Sequence, residues 1–459
     1  MSAPVTTPTA RLALLSLGCA KNLVDSERLV GALTGAGFSL VERLDGADIA
    51  LVNTCGFIEA AKEESIDTIL QVARHKEFGR LRGLLVAGCL VERYREELAR
   101  EIPEVDRWLG FEDYARIADT AREVLALPAV RELPPPRVLL TPTSYAYLKI
   151  SEGCDQKCAF CAIPSFRGRL ASRTIEENVA DARTIAERGV GEIDIVSQDT
   201  TAYGRDIYGK PRLADLLREL TRIDGPRWWR ILYLYPTTLR DDVLDEMASN
   251  DRIAKYVDMP IQHVSDRMLK AMRRGISGAK QRALLERIRE RIPGVALRTT
   301  LITGFPGETD ADHQEVLEAV REGWFDRLGV FTYSPEEGTA AYDRPDPVPE
   351  QLMAERRDEI MAAQRDVHHA RNAEKVGREI EVLVERHEAL TRRAFGRSEH
   401  DAPDVDGTVR VEGVDHARPG AVLRVRVTAS EGYDLVAEAL GTSSAPRPGS
   451  GPSGQEPVQ

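Results

Sequence analysis

Three cysteines lie close together in the middle of the chain and could hold a metal centre. The segment reads Cys154-Asp-Gln-Lys-Cys158-Ala-Phe-Cys161. Cysteine thiolates bind iron–sulfur clusters, and full protein ligation of a four-iron cluster needs four of them. Three thiolates at this spacing can therefore hold three irons and leave the fourth open. The alternative is a structural zinc site, but such a site has four protein ligands, and no second cysteine pair of the required spacing is present.

The other three cysteines, Cys19, Cys55 and Cys89, are far apart in the sequence but occupy similar positions. Each follows an apolar, strand-like run; these runs are residues 12–17, 49–52 and 84–87. In open α/β sheets, ligands gather outside the carboxyl ends of the strands. The pattern therefore predicts that the three thiols converge on a second cluster with an open iron. Three cysteines packed in a nucleotide-binding-like domain are the alternative.

Alternating strand and helix patterns predict the elements that position these cysteines. Helices are predicted to start near Leu23 and Ile58. The predicted α/β fold has five segments: a Rossmann-like domain at 11–125, a Pro-rich linker at 126–142, a partial (β/α)6 barrel at 143–370, a small antiparallel β-barrel at 374–441 and a disordered tail at 443–459. Predicted strands of the second and third domains are 146–150, 193–197, 231–234, 256–259, 297–302, 327–333, 379–384, 407–411 and 422–427.

Composition limits the classes of function. Hydrophobic residues make up 42% and charged residues 30% of the chain, which is typical of globular proteins. No apolar run approaches the ~20 residues of a spanning helix, and the first residues lack a signal-peptide pattern. We therefore expect a cytoplasmic protein without membrane attachment and without disulfides. The net charge of −12 is not that of a nucleic-acid-coating protein, and it would suit a basic protein partner.

The cysteine segment with an aromatic residue before its last cysteine resembles the hallmark of the radical S-adenosylmethionine (SAM) superfamily. The resemblance implies a [4Fe-4S] cluster on Cys154, Cys158 and Cys161 whose open iron binds SAM. It also implies cofactor-binding positions, which we assign to Phe160, Glu192 and Gly304. Glu192 would contact the SAM amino group, and Gly304 begins a Gly-Phe-Pro-Gly-Glu turn. His263, Tyr203 and Tyr235 could line the substrate pocket or serve the core, and none is assigned a catalytic role.

The segments around the first three cysteines, and the order of the three domains, are similar to those of the methylthiotransferases, with a C-terminal TRAM domain. The resemblance covers residues 11–441. It implies a second [4Fe-4S] cluster on Cys19, Cys55 and Cys89, from which a methylthio group is transferred. The first cluster would cleave SAM to a 5′-deoxyadenosyl radical that removes hydrogen from an unactivated carbon. Cofactor radicals can do this where acid–base chemistry cannot.

Four further segments resemble the RimO-type branch, which modifies an aspartate of protein twelve of the small ribosomal subunit. They are residues 197–204, 233–238, 259–263 and 396–407. The 374–441 segment has 10 Lys and Arg against 14 Asp and Glu, which favours a basic protein over tRNA and predicts weak or absent nucleic-acid binding. A flavodoxin- or ferredoxin-type reductant is implied. The alternatives are a tRNA adenosine methylthiotransferase and a non-enzymatic iron–sulfur electron-transfer or RNA-binding protein.

Overall fold

Five parallel strands form the N-terminal sheet, in the order β2-β1-β3-β4-β5. The computed structural model describes residues 10–79, 81–128 and 137–442. The strands are β1 (Ala10–Ser16), β2 (Phe38–Val41), β3 (Ile49–Thr54), β4 (Gly83–Gly88) and β5 (Arg107–Leu109). The helices are α1 (Ala20–Gly35), α2 (Glu59–Phe78), α3 (Cys89–Glu101) and α4 (Ile117–Val124), with 3₁₀ turns at Leu44–Gly46 and Phe111–Arg116.

This sheet is covered on both faces, which is why its central strands read as continuous apolar runs. Every residue of β3 and β4 is buried. Helices α1 and α4 pack on one face and α2 and α3 on the other, each through a separate apolar cluster. The three predicted strands are β1, β3 and β4, whereas the short outer strands β2 and β5 were not predicted.

Six parallel strands form the central domain, and they are hydrogen-bonded as two three-stranded sheets, β10-β9-β6 and β11-β12-β13. A parallel bridge between Trp229 and Ile253 joins the two halves. The six strands are β6 (Tyr145–Lys149), β9 (Glu192–Val196), β10 (Trp228–Ile231), β11 (Tyr256–Asp258), β12 (Ala296–Thr303) and β13 (Arg327–Thr332). Two further short strands, β7 (Ser151–Glu152) and β8 (Ala171–Ser172), form a separate antiparallel ribbon. The partial barrel that the sequence predicts is confirmed.

Helices surround this barrel and supply, with the strands, the largest apolar cluster among the described residues. They are α5 (Ile163–Phe166), α6 (Ile175–Ala186), α7 (Arg205–Tyr208), α8 (Leu213–Leu220), α9 (Asp241–Ser249), α10 (Asp266–Ala271), α11 (Gly278–Arg291), α12 (Asp310–Arg321) and α13 (Glu350–Ala373), with a 3₁₀ turn at Thr200–Ala202. The strand predicted at 231–234 lies closer to the N-terminus in the structure, where β10 begins at Trp228 and ends at Ile231. A buried Arg230 interrupts its apolar pattern, and Tyr233 beyond its end has a positive φ of 62°.

The C-terminal strands close into a five-stranded barrel. They are β14 (Glu379–Glu388), β15 (Arg393–Arg397), β16 (Val409–Glu412), β17 (Val422–Glu431) and β18 (Asp434–Thr442). Alternate residues of β14, β16 and β17 point into an aliphatic core, and the opposite face is solvated. Four of the five strand pairs are antiparallel, as predicted, but β16 and β18 pair in parallel and close the barrel. Strands β15 and β18 were not predicted.

A loop of the C-terminal barrel, residues 398–407, docks against the central barrel through acidic side chains. Asp401 pairs with Arg327 at 2.5 Å. Tyr256 Oη donates to Asp406 at 2.5 Å, and Tyr145 Oη donates to Asp404 at 2.7 Å. Segment 396–407, one of the four segments singled out in the sequence, therefore has an interdomain structural role.

Two predicted segments lie wholly or partly outside the described residues: the tail at 443–459, and residues 129–136 of the linker. The domain borders stay predictions. No helix within the described ranges is long and apolar enough to cross a membrane.

Candidate cluster cavity

The first three cysteines all lie at the carboxyl edge of the N-terminal sheet. Cys19 precedes α1 as its N-cap residue, Cys55 directly follows β3, and Cys89 is the first residue of α3. Parallel strands β1, β3 and β4 are neighbours, so their carboxyl ends bring the three loops together. The structure thus brings the predicted residues of the second cluster to one place.

Two features keep these loops in close contact. Gly18 has φ of 86°, and a Cβ at this position would lie 2.8 Å from Cys55 Cβ and 3.0 Å from Cys55 Sγ. Asn22 Nδ2 donates to the Leu17 carbonyl at 2.7 Å, and Asn53 Nδ2 donates to the Asn22 carbonyl at 3.0 Å. Glycine permits the close approach, and the amides fix one loop against the other.

The second cysteine set lies on the loop that follows β6 and β7. The Cys154 N–H donates to the Gly168 carbonyl at 3.1 Å, which anchors the start of the loop. The Ala159 N–H donates to the Met272 carbonyl at 2.9 Å, and the Ala341 N–H donates to the Ala159 carbonyl at 2.8 Å. Backbone hydrogen bonds therefore anchor the loop to the body of the central domain.

All six cysteines line one cavity of about 390 Å³ between the N-terminal and central domains. Its other walls include Phe57, Phe160, Gln198, Tyr235, Arg274, Thr300 and Phe331. None of the six cysteines is in a disulfide. The sequence could place each set at a strand end, but only the packing of the two domains shows that both sets face the same space.

The donor set fits cubane clusters better than single ions. Among residues 10–79, 81–128 and 137–442, no three His, Cys, Asp or Glu side chains converge closely enough to hold one metal ion, as a zinc site would require. Cysteines of a cubane bind different irons, so their sulfur atoms lie farther apart. Two sets of three free thiols around an open cavity, with Gly18 making room for Cys55 Sγ, suit that ligation.

Burial disfavours the ionised form of most of these thiols. It raises the pKa of Cys89 to about 11 and the pKa values of Cys154 and Cys161 to about 12. Cys19 differs: burial opposes ionisation there too, but Lys21 and the backbone N–H of Asn22 more than compensate and lower its pKa. Iron must therefore displace protons from the buried thiols on binding.

The structure places the three predicted cofactor-binding residues in different environments. Phe160 lines the cavity. Gly304 lies just beyond β12 with φ of 79°, and a Cβ there would collide with Met353, so this glycine serves the local packing. Glu192 is fully buried at the start of β9, where it pairs with Arg230 at 2.5 Å and Arg397 at 3.0 Å.

Glu192 is consequently not brought to the cavity, and its predicted contact with SAM has no support in the geometry. The carboxyl end of β9, not its beginning, faces the cysteines, and Gln198 from that end lines the cavity. Gln198 Nε2 donates to Glu152 Oε1. The rule that ligands gather at carboxyl strand ends could have singled out Gln198 from the sequence.

Two arginines at the cavity were missed by the sequence reasoning. Arg274 donates to Cys158 Sγ at 3.1 Å and stacks over the Tyr235 ring, 4.2 Å from its centroid. Arg167 donates to Cys89 Sγ at 3.1 Å. Each cysteine set therefore has one arginine N–H directed at a sulfur atom, and nothing in the spacing of the sequence signals these contacts.

The three side chains to which the sequence assigns no catalytic role also occupy different surroundings. His263 is 1% exposed, and its Nδ1 accepts the backbone N–H groups of Val264 and Ser265, so it holds a turn. Tyr203 is fully buried and donates to the Arg173 carbonyl at 2.8 Å. Tyr235 alone faces the cavity, with its Oη 3.6 Å from Cys158 Sγ.

Family models match three parts of the chain. The Radical SAM superfamily model matches residues 148–320, the TRAM domain model matches 376–440, and the model described as Uncharacterized protein family UPF0004 matches 11–110. A solved structure with this fold is the radical SAM methyltransferase TsrM from Kitasatospora setae. It has a TM-score of 0.53 and 15% identity, and the match covers 73% of this chain and 77% of that one.

Relatives similar over nearly the whole chain carry one name, ribosomal protein uS12 methylthiotransferase RimO. The protein from Aquifex aeolicus (strain VF5) is 50% identical, with 93% of this chain and 96% of the relative covered. That from Geobacter sulfurreducens is 45% identical, with 94% and 98% covered. The protein is thus a radical SAM enzyme that uses SAM and iron–sulfur chemistry, and the chain belongs to the RimO family of methylthiotransferases.

Proposed function

We propose that this enzyme transfers a methylthio group to the β-carbon of an aspartate in uS12, protein twelve of the small ribosomal subunit, with two [4Fe-4S] clusters in one cavity. The convergence of all six cysteines on that cavity is the observation that carries the two-cluster part. The substrate part is supported by relatives at 45–50% identity that carry the uS12 name.

Cys19, Cys55 and Cys89 would hold one cluster, and Cys154, Cys158 and Cys161 the other. When bound, the clusters and SAM would supply the one-electron cleavage of SAM and the methyl part of the methylthio group, which comes from SAM. The chain itself supplies position and shielding. Phe160, Tyr235 and Gln198 line the space beside the second cysteine set, where Tyr235 and Gln198 offer polar groups to SAM and Phe160 excludes water.

The mouth of the cavity has a feature that suits a peptide. Phe57 of the N-terminal domain is 37% exposed and Phe331 on β13 is 54% exposed, and both line the cavity. Exposed aromatic side chains from both domains form an apolar rim against which a loop carrying an aspartate can pack. The target carbon must reach the space between the two cysteine sets. A rim shared by both domains suits that position.

The charge of the C-terminal barrel favours a protein over tRNA. Seven of its arginines lie within ion-pair distance of a carboxylate: Arg386 with Glu388, Arg392 with Asp415, Arg393 and Arg410 with Glu412, Arg397 with Glu385, and Arg424 and Arg426 with Glu379. Arginines neutralised in this way are poor phosphate ligands, since affinity for nucleic acid comes mainly from unpaired cations. We infer that direct nucleic-acid binding is weak or absent.

The electron that cleaves SAM must come from outside the chain, and we propose a flavodoxin- or ferredoxin-type reductant. A reducing compartment also keeps the cluster thiols free to bind iron. We therefore place the reaction in the cytoplasm.

Mass spectrometry of two substrates tests the proposal. Reconstituted, reduced enzyme is incubated anaerobically with SAM and sulfide. One sample contains a peptide spanning the target loop of uS12, and the other contains a tRNA with isopentenyl-adenosine beside the anticodon. We expect a methylthio group on the peptide alone, because the paired arginines of the barrel leave little to bind tRNA phosphates.

A peptide with alanine in place of the target aspartate is the matched control and should stay unmodified. Modification of the tRNA alone would refute the substrate assignment while leaving the methylthiotransferase chemistry intact.

A further inference from the structure

Arg167 contacts both cysteine-bearing domains at once. It belongs to the central domain, immediately after α5, and its side chain is 2% exposed. Its Nη2 donates to Cys89 Sγ at 3.1 Å and to Asn22 Oδ1 at 3.3 Å, both in the N-terminal domain. Its Nη1 donates to Asp25 at 2.8 Å and to Glu152 at 3.0 Å. A single guanidinium thus joins a predicted cluster ligand to the central domain.

The surroundings fix this guanidinium in one orientation. The Phe111 ring lies beneath it, with the guanidinium carbon 4.3 Å from the ring centroid. Asp25 and Glu152 both also pair with Lys149. A planar, permanently charged group held by a ring and two carboxylates loses little freedom when it makes one further hydrogen bond. The N–H directed at Cys89 is therefore pre-arranged.

Hydrogen bonds to cluster sulfurs, and nearby charge, set the reduction potential of iron–sulfur clusters. A cluster that has gained an electron is more negative than the oxidised one. A positive guanidinium with an N–H on a ligand sulfur stabilises that reduced state more than the oxidised state. In a buried site this effect is only weakly screened by water.

We propose that Arg167 is a positioning residue of the N-terminal cluster: it fixes the Cys89 thiolate across the domain interface and raises the reduction potential of the cluster. This inference rests on the proposed assignment of Cys19, Cys55 and Cys89 as cluster ligands. Arg274 makes the equivalent contact to Cys158, but it lies in the same domain as its cysteine. Arg167 alone of the two makes the cluster environment depend on how the two domains pack.

A redox titration followed by electron paramagnetic resonance tests the proposal. The full chain carries Cys154→Ala, Cys158→Ala and Cys161→Ala, so that only the N-terminal cluster contributes to the signal. Into this background we introduce Arg167→Gln, which removes the charge, and Arg167→Lys, which keeps the charge but loses the planar fork. Arg169→Gln is the matched control, because its side chain is 90% exposed and pairs with Asp155 at 3.2 Å on the surface.

We expect Arg167→Gln to lower the ratio of reduced to oxidised cluster at a fixed potential by about tenfold, which is 59 mV for one electron. Arg167→Lys should shift the potential in the same direction but less, and Arg169→Gln should not shift it. Loss of the cluster from folded Arg167→Gln, with retention in Arg167→Lys and Arg169→Gln, would support the positioning role as well.

An Arg167→Gln chain that holds its cluster and titrates like the background would overturn the inference. The iron content of the background chain, with Arg167 intact, is measured separately. If that chain binds no iron, the result has another meaning. It would refute the N-terminal cluster, and the role of Arg167 with it, so the two failures are distinguishable by iron content alone.

Discussion

Cys55→Ala should abolish methylthiolation while SAM cleavage continues. The substitution removes one of three proposed ligands of the N-terminal cluster and leaves Cys154, Cys158 and Cys161 untouched. Even changes beside a metal ligand cost 10–100-fold, so removal of a ligand should lower product formation by at least about 100-fold. Reconstituted protein should contain about four irons in place of about eight. Iron analysis, and chromatography of product and 5′-deoxyadenosine, measure these outcomes.

Cys158→Ala is the matched control, because it removes a ligand of the other cluster. It should lose 5′-deoxyadenosine production together with product. Methylthiolation by Cys55→Ala at the wild-type rate would contradict the role of the N-terminal cysteines. Melting curves of both variants check that each chain is folded.

Arg230→Met should destabilise the central domain by about 3 kcal/mol. Arg230 has no exposed surface, pairs with Glu192 at 2.5 Å and lies 3.6 Å from Asp194. Removing this cation leaves two buried carboxyl groups, of which Glu192 keeps Arg397 as a partner, and an uncompensated buried charge is costly. Burial and the neighbouring Glu192 already raise the pKa of Asp194. Urea unfolding followed by tryptophan fluorescence reports the loss, since Trp228 and Trp229 directly precede Arg230 in the chain.

Arg222→Met provides the comparison, because its side chain is 72% exposed and pairs with Glu219 on the surface. Its effect should stay within about 0.5 kcal/mol. Adding Glu192→Gln to Arg230→Met should restore part of the lost stability by removing one buried negative charge. If Arg230→Met alone leaves the central domain as stable as the unaltered chain, the buried network does not stabilise the fold.

The sequence predicted the cysteine positions well because strand-ending cysteines follow a simple rule. An apolar run, a turn and a cysteine recur at Cys19, Cys55 and Cys89, and parallel strands place such turns at a common edge. The domain order and the partial barrel were predictable for the same reason: buried parallel strands are apolar throughout. Edge strands such as β2 and β5 were missed because they are short and half-exposed.

What the sequence could not supply was the contact between distant segments. Glu192 looked like a cofactor residue, but its strand start lies against Arg230 and Arg397, which are 38 and 205 positions away in the sequence. Arg167 reaches Cys89 across a domain interface for which no local pattern exists. Such side-chain pairs depend on how the folded domains pack against each other. The periodicity of the sequence does not predict that packing.

The most direct test of the proposed chemistry follows two isotopes in one reaction. The enzyme is given SAM with a trideuterated methyl group and a uS12 peptide deuterated at the β-carbon of the target aspartate. We predict that the peptide gains a trideuterated methyl group together with one sulfur, and that the deuterium lost from the β-carbon appears in 5′-deoxyadenosine. Transfer of the methyl group without sulfur, or loss of the β-deuterium to water, would contradict radical methylthio transfer in this cavity.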